Sequence, residues 1–294
     1  MANRSQQGIG DIVKYAEYDN ADDFLAIART DLESREAVNG LMLGLALRLR
    51  EDILFYGSQP LFATLGEGAA PVLIALMTPP FKLQILSPEG AQESAFELLA
   101  RELYKRNWPV PGVLAEEKTA TAFADSWARV TGTKFEIGMR QRIYELRKVI
   151  HPAYPLGEFK RAGLEHMELA LKWHQAFGED TNVAQQADED GRIMRGRIEA
   201  GTLWFWYDSQ PVSMAARGRP TLNGETVNLV YTPPECRRNG YATAVVARLS
   251  QRILDQGKQF CTLYTDLSNP VSNSIYMKIG YVPQADVVDI HFFD

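Results

Sequence analysis

A strand, a loop and a helix follow one another between Val227 and Ala242, and this order restricts the fold more than any other feature of the sequence. The segment reads V-N-L-V-Y-T-P-P-E-C-R-R-N-G-Y-A. Its β-rich start predicts a strand, Pro233 and Pro234 end it, and the residues after Ala242 have the apolar spacing of an amphipathic helix. Backbone N–H groups in such a loop, together with the helix dipole, can face an anion. The sequence therefore predicts an α/β fold with a phosphate-binding loop.

Composition places the chain among ordinary globular proteins. Its 294 residues are 46% hydrophobic and 23% charged, which suits a core without disulfides and leaves room for two domains. The net charge of −6 argues against a nucleic-acid-binding protein, because such proteins usually present a basic face. The two cysteines have no metal or redox spacing, so we expect no metal. With no signal-like start and no bilayer-length apolar run, we expect a soluble cytoplasmic protein without a membrane partner.

Prolines and a glycine cluster between His151 and Gly157, and this segment is the best candidate for a domain boundary. We therefore expect an N-terminal domain of residues 1–150 and a C-terminal domain of residues 151–294. Periodicity and turn residues in the C-terminal half predict four helices, over Glu158–Phe177, Val183–Ala200, Thr243–Gln256 and Pro270–Ile279. They also predict a hairpin over Leu203–Arg217 and three further strands, over Val227–Tyr231, Phe260–Leu267 and Val287–Phe293.

The N-terminal half shows a similar but thinner order of elements. Helices are predicted over Asp31–Arg50, from Ser87 to Arg106 and over Glu116–Val130, with strands between them. No counterpart of the loop from Arg237 to Ala242 occurs there. This half is expected either to be a degenerate copy of the C-terminal fold or to be an unrelated α/β domain.

The loop from Arg237 to Ala242 has the form R-x-x-G-x-A. Gly240 lets the backbone approach a ligand or adopt positive φ without a steric penalty, and the small Ala242 lets the helix start beside that ligand. The loop lacks the Gly-Lys-Ser/Thr of a Walker loop and the G-x-G-x-x-G of a dinucleotide site. By itself the hexapeptide fits either an anion site or a surface turn before an ordinary helix.

A second motif, from Asn269 to Tyr281, narrows this choice. It reads N-P-V-S-N-S-I-Y-M-K-I-G-Y, which has the form N-x-x-S-x-x-x-Y-x-x-x-G-Y. With the segment Val227–Ala242, one helix and one strand earlier, it resembles the acetyl-CoA motifs of the GNAT superfamily of N-acetyltransferases. The resemblance covers most of residues 200–294. It implies a GNAT-like mixed, mostly antiparallel twisted sheet flanked by helices, preceded by a second, degenerate GNAT-like α/β domain.

The resemblance also implies acetyl-CoA as the cosubstrate and assigns the residues that bind it. The strand before the loop would separate from its neighbour and bind the pantetheine arm through the backbone of Leu229, Val230 and Tyr231. Arg237 would supply charge near the pyrophosphate, and Asn269 would bond the pantetheine with its side-chain amide. The N–H groups that would receive the pyrophosphate are those of Arg238, Asn239, Gly240, Tyr241 and Ala242.

Some of these residues also fit other roles. Asn269 is an excellent helix N-cap, with Pro270 at the first helical position. Arg238 also fits a solvated surface position. Cys236 could be a reactive thiol beside a helix N-terminus or an ordinary small residue.

The implied chemistry is direct transfer of the acetyl group to an amine. Tyr276 would protonate the departing CoA thiolate, although a tyrosine on a helix also fits a packing role. The amine must be neutral to attack, and a carboxylate acting directly or through water would assist it. Glu225 and Glu235 are the candidates for that carboxylate, and both also fit solvated surface charges. A backbone N–H on the strand from Leu229 to Tyr231 could stabilise the thioester oxygen.

Three functions remain open on the sequence alone. The first is an N-acetyltransferase acting on a small-molecule or protein amine. The alternative is an acetyl-CoA-binding sensor or interaction protein without turnover, and the third is a protein that binds a nucleotide phosphate of another kind. The sequence identifies neither the acceptor nor the oligomeric state, and a homodimer is left open.

Overall fold

A computed structural model describes residues 13–67, 70–181 and 191–294 of the chain. The chain forms two compact units. For the described residues, unit 1 takes those within Met1–Asp31, Ala46–Gly138 and Val288–Asp294, and unit 2 takes those within Leu32–Leu45 and Met139–Val287. The expected division into domains of residues 1–150 and 151–294 stays a prediction.

In the first part of the chain, two helices follow the first strand, three consecutive strands come next, and the remaining strands and helices alternate. The elements are β1 (Lys14–Glu17), α1 (Ala21–Ser34), α2 (Glu36–Glu51), β2 (Leu61–Glu67), β3 (Ala70–Met77), β4 (Leu83–Leu86), α3 (Glu93–Lys105), β5 (Gly112–Glu116), α4 (Glu117–Thr131) and β6 (Lys134–Leu146).

The second part of the chain repeats this order of strands and helices. Its elements are β7 (Glu158–Arg161), α5 (Met167–Thr181), α6 (Arg192–Glu199), β8 (Leu203–Asp208), β9 (Gln210–Gly218), β10 (Gly224–Tyr231), α7 (Tyr241–Asp255), β11 (Phe260–Asp266), α8 (Pro270–Lys278) and β12 (Val282–Phe293). Short 3₁₀ turns cover Leu164–His166 and Pro234–Cys236.

Each unit is built on a mixed sheet. The strand order is β1-β2-β3-β4-β5-β12 in unit 1 and β6-β11-β10-β9-β8-β7 in unit 2. Most neighbouring strands are antiparallel, but β4 pairs with β5 in parallel, and so does β10 with β11. A parallel pair needs a crossover connection, which α3 supplies in unit 1 and α7 in unit 2. The predicted mixed, mostly antiparallel sheet flanked by helices is confirmed.

The two parts of the chain share one order of elements. The series β2-β3-β4-α3-β5-α4-β6 matches the series β8-β9-β10-α7-β11-α8-β12. Their last strands are exchanged, because β12 lies beside β5 and β6 lies beside β11 in the strand orders. The repeated order is the one that a degenerate first copy of the fold would have.

Helices cover both faces of the unit 2 sheet. On one face, Val246, Leu249 and Ile253 of α7 pack with strand residues such as Val227 and Leu263. On the other face, α5 and α6 pack on residues of β8, β9 and β10. This leaves β10 sandwiched between two apolar clusters, so its path through the sheet is tightly determined.

Several predicted boundaries were wrong for identifiable reasons. Residues 158–161 form an edge strand and not the start of a helix, and their charged side chains suit such an edge. The helix predicted from Ser87 begins at Glu93, because Gly90 has φ +86°, which no helix accepts. The helix predicted from Asp31 is two helices, and β1 and β5 were missed. The predicted helix Val183–Ala200 is observed at Arg192–Glu199, and residues 183–190 lie outside the described residues.

Glu36 ties the start of α2 to the turn before β10 within unit 2. Its carboxylate accepts hydrogen bonds from the backbone N–H of Asn223 at 2.8 Å and from Nδ2 of Asn223 at 2.7 Å. Burial alone would raise the pKa of Glu36, but hydrogen bonds from Thr221 and Asn223 outweigh it and lower that pKa. The ionised form is therefore the one that holds the two segments together.

We expect Glu36→Gln to lower the free energy of unfolding by about 1.5–3 kcal/mol at pH 7, since it removes hydrogen bonds to a charge. A depressed folded-state pKa gives stability above the unfolded value near ~4.3 that is lost as the pH falls through the folded value. The difference in the free energy of unfolding between Glu36→Gln and the unaltered protein, measured by urea unfolding, should therefore become smaller at acid pH. Glu51→Gln, at an exposed ion pair with Arg48, should change stability by about 0.5 kcal/mol or less. A pH-independent difference would contradict this role.

Candidate functional site

A bulge interrupts β10 at Leu229. This residue has φ +51°, a left-handed conformation that a leucine adopts only when its surroundings hold it there. The register with β9 shifts between Asn228 and Tyr231 at the same place. No glycine or asparagine occupies position 229 to signal the bulge, so sequence reasoning missed it. Bulges of this kind redirect backbone groups and side chains beside functional sites.

The strands β10 and β11 separate just before the bulge. They pair in parallel only from Gly224 to Thr226, opposite Phe260 to Thr262. Beyond Thr226, β10 keeps its pairing with β9, and β11 continues against β6 as far as Asp266. Among the described residues, the β11-facing edge of β10 around Leu229–Tyr231 therefore has no neighbouring strand. An open strand edge inside a sheet can pair with an extended ligand that carries amide groups.

The loop after β10 leads into an uncapped helix N-terminus. Arg238 has φ +67° and Gly240 has φ +79°, and Gly240 is the N-cap of α7 without a side-chain hydrogen bond. The first hydrogen bond of the helix runs from Ala244 N to Gly240 O. No described residue accepts a hydrogen bond from the backbone N–H groups of Arg238 to Ala242. Such a group of N–H donors at a helix start is an anion-binding arrangement.

Side chains around this loop fix its shape. Arg237 donates to the Thr232 carbonyl at 3.0 Å and to Asp180 Oδ2 at 2.5 Å, so its charge is already paired with a carboxylate. The Tyr241 hydroxyl donates to Asp208, and this hydrogen bond raises the pKa of Tyr241.

The other residues of the loop differ in the hydrogen bonds and ion pairs that their side chains make. Asn239 donates to the Cys236 carbonyl at 3.2 Å. Arg238 is exposed and makes no ion pair among the described residues, so it is the loop arginine whose charge remains available. Burial raises the pKa of the Cys236 thiol, which is the opposite of what a reactive cysteine needs.

Tyr276 lies on α8 with its side chain buried against two other tyrosines. Its ring centroid is 6.5 Å from that of Tyr144 and 6.0 Å from that of Tyr281. Burial raises the pKa of Tyr276 to about 12, so the phenol stays protonated at neutral pH. Its hydroxyl has no hydrogen-bond partner among the described residues, whereas the hydroxyl of Tyr281 bonds Ser250 at 2.9 Å. Tyr276 therefore offers a proton donor that the fold itself does not use.

Asn269 is the N-cap of α8. Its Oδ1 accepts a hydrogen bond from Ser272 N at 3.0 Å, and Pro270 is the first helical residue. The residue is exposed. The capping role is therefore observed, and Nδ2 of the same amide remains free for a ligand among the described residues.

The two candidate carboxylates lie at opposite ends of β10. Glu225 is buried, with Arg217 Nη1 at 3.4 Å, and burial raises its pKa while Arg217 and Lys258 oppose that rise. Glu225 precedes Leu229 by four residues, which is roughly 13 Å along a strand. Glu235 is exposed in the 3₁₀ turn at the far end of β10.

Residues 207–287, which contain the bulge, the loop and Tyr276, match the family model described as FR47-like protein. The structure is similar to that of a Drosophila protein at 13% sequence identity and a TM-score of 0.67, covering 97% of this chain and 99% of that one. It is also similar to a GCN5-related N-acetyltransferase from Sphaerobacter thermophilus at 13% identity and a TM-score of 0.62, covering 95% of each chain. The fold is that of the GNAT acetyltransferases.

The structural similarity is not limited to the C-terminal half of the chain. A GNAT-family acetyltransferase from Colwellia psychrerythraea aligns with 96% of this chain and 100% of its own, at 15% identity and a TM-score of 0.54. No curated protein matches the sequence at a significant level. At these identities the similarity establishes the fold, and the activity has to be argued from the site.

Two further features of the described residues bear on the site. Among them, no group of three histidine, cysteine, aspartate or glutamate side chains is placed to hold a metal ion. Every helix found in them is too short or too polar to cross a bilayer.

Proposed function

We propose that this protein is an N-acetyltransferase that binds acetyl-CoA between β10 and β11 and transfers its acetyl group directly to an amine. The observation that carries the proposal is the continuous path from the open strand edge at Leu229 to the uncapped N-terminus of α7. One end of this path offers backbone groups for the amides of pantetheine. The other end offers N–H groups and a helix dipole for the pyrophosphate.

The donor would bind through the backbone more than through side chains. The amides of pantetheine would pair with Leu229, Val230 and Tyr231 as a short added strand. The N–H groups of Arg238 to Ala242 would receive the pyrophosphate, and exposed Arg238 would add charge. Because Arg237 is already paired with Asp180, we assign it to holding the loop. Asn269 would cap α8 with its oxygen and bond the pantetheine with Nδ2.

Tyr276 would act on the departing sulfur. A thiol titrates near ~8.5, so a phenol with a pKa of about 12 is the weaker acid of the two. We therefore assign Tyr276 chiefly to donating a hydrogen bond that disperses charge on the thiolate as it leaves. The proton that completes CoA–SH comes from the amine nitrogen, which loses it when the amide forms.

The acceptor is an amine of a small molecule or of a protein, and it must arrive neutral. We assign direct removal of its proton neither to Glu225, which is buried beside Arg217, nor to Glu235, which lies in the turn after β10. A base role for either residue would need intervening water molecules. Without a base beside the bulge, the rate constant at low acceptor concentration should rise with pH until the amine itself, near ~10, is deprotonated.

Calorimetric titration tests donor binding. We expect saturable binding of acetyl-CoA and of CoA, and binding of ATP weaker by at least ~10-fold, because ATP has a phosphate chain but no pantetheine to pair with β10. Equal binding of ATP and CoA would favour a nucleotide-phosphate protein of another kind. No binding of CoA would overturn the proposal.

A thiol-release assay with a panel of amines separates an enzyme from an acetyl-CoA sensor. Release of CoA thiol that depends on the amine, with formation of the acetylated amine detected by mass spectrometry, is the expected result. Binding of acetyl-CoA without amine-dependent release would support the sensor instead.

A further inference from the structure

Asn228 carries a buried polar atom without a partner at the centre of the site. Its side-chain oxygen Oδ1 is buried and accepts no hydrogen bond from any described residue. Asn228 directly precedes Leu229, the residue of the bulge. Buried acceptors are nearly always satisfied in folded proteins, so an unsatisfied one calls for a ligand or a functional reason.

The bulge determines the face to which Asn228 points. Val227 packs with α7, and Val230 packs partly against the same cluster. Leu229 and Tyr231 pack with α5 and α6 on the opposite face. Side chains alternate along a strand, so Asn228 points away from α7, and the bulge makes Leu229 point the same way. Asn228 therefore lies on the face opposite the helix whose N-terminus would receive the pyrophosphate.

On the β9 side, the neighbours of Asn228 are small residues. Its neighbour across the ladder is Ala216, and the next residue along β9 on the same face is Gly218. A Cβ built at Gly218 would lie 3.4 Å from Nδ2 of Asn228, so the amide nitrogen lies over this glycine. On the other side the ladder with β11 has ended. The gap between β10 and β11 therefore begins beside Asn228, and its neighbours on the β9 side are small.

From this placement we infer that Asn228 Oδ1 accepts a hydrogen bond from the N–H of the acceptor amine and so orients the amine lone pair toward the acetyl carbon. This inference rests on the proposed function. A neutral amine has N–H groups to donate and one lone pair for attack. An amide oxygen takes such a hydrogen bond without taking the proton. Asn228 is thus a positioning residue next to the backbone that would hold the thioester, and it is not the base.

A variant series at this position tests the inference. Asn228→Leu keeps the approximate size of the side chain and removes the acceptor, so we expect the KM for the amine to rise about tenfold while acetyl-CoA affinity changes by less than ~2-fold. Asn228→Asp retains an oxygen acceptor and should keep the KM for the amine within ~3-fold of the unaltered protein. The thermal midpoint of Asn228→Leu should be unchanged or higher, because no protein donor loses a partner.

Thr226→Val is the matched control. Thr226 lies on the same face two residues earlier, and its hydroxyl is already bonded to Thr262 at 3.0 Å. This variant should lose thermal stability and keep its KM for the amine, the reverse of the pattern expected for Asn228→Leu. The two variants are therefore expected to change thermal stability and the KM for the amine in opposite patterns, and this separates a positioning role from a structural one.

The outcomes distinguish the inference from the proposed function. Amine-dependent transfer with a raised amine KM in Asn228→Leu, restored in Asn228→Asp, supports the inference. Transfer with an unchanged KM, or a lower thermal midpoint in Asn228→Leu, overturns the inference and leaves the proposed function standing. Absence of transfer by the unaltered protein with every amine tested overturns both.

Discussion

Gly240→Val should weaken acetyl-CoA binding at least ~100-fold, or about 2.7 kcal/mol. Gly240 has φ +79° at the N-cap of α7, and a β-branched residue is strained there. A Cβ at this position meets only Pro155, at 4.0 Å, so the space above the glycine is open to a ligand and a valine would fill it. The change should therefore act on the pyrophosphate site, as measured by calorimetric titration with acetyl-CoA.

Gly257→Val provides the matched control, because it places the same residue at the other end of α7. Gly257 has φ +94°, and a Cβ there meets nothing within 4 Å. Both variants carry similar backbone strain, so both should lose similar thermal stability. Only Gly240→Val should lose acetyl-CoA affinity. Equal affinities in the two variants would remove Gly240 from the binding site.

Tyr276→Phe should lower kcat about 10²-fold while acetyl-CoA affinity changes by less than ~2-fold. The phenol would act on sulfur only as it leaves, so its loss should appear in turnover and not in donor binding. Its hydroxyl has no partner among the described residues, so the variant should also keep its thermal stability. Steady-state kinetics, titration and thermal unfolding together measure these three properties.

Tyr281→Phe is the control for this variant. It makes the same change in the same aromatic cluster, but here the hydroxyl bonds Ser250. We expect it to lose about 1 kcal/mol of stability and to keep its kcat. If Tyr276→Phe turns over as fast as the unaltered protein, Tyr276 is a packing residue and the leaving thiolate is stabilised elsewhere.

Local chemistry made much of the C-terminal half predictable. Pro233 and Pro234 end a strand, Gly240 supplies the positive φ before a helix, and the apolar spacing from Val246 to Ile253 gives α7 its buried face. These signals are local, and each has a physical cause that the sequence displays. The predicted start at Thr243 was late by two residues, because the N-cap proved to be Gly240.

Features that depend on residues far apart in the sequence could not be predicted from such local signals. The exchange of β6 and β12 between the two series of elements rests on pairings between residues far apart in the chain. The strand Glu158–Arg161 has a largely charged sequence, and it is held in place by pairing with β8 and by the stacking of Phe159 on Trp204.

The site itself was predictable only in part. The positions of the loop and of Tyr276 followed from motif spacing, whereas the bulge at Leu229 and the unsatisfied oxygen of Asn228 follow from tertiary packing. The environments of Glu225 and Glu235 were also invisible in the sequence. Burial of Glu225 beside Arg217 is a property of the folded sheet.

A crystal structure of the protein with CoA would test the central claim most directly. We expect density for pantetheine between β10 and β11 alongside Leu229–Tyr231, with the pyrophosphate on the N–H groups of Arg238 to Ala242 and the sulfur near the Tyr276 hydroxyl. CoA bound away from β10, or a complex in which β10 and β11 close their ladder and exclude it, would contradict the account.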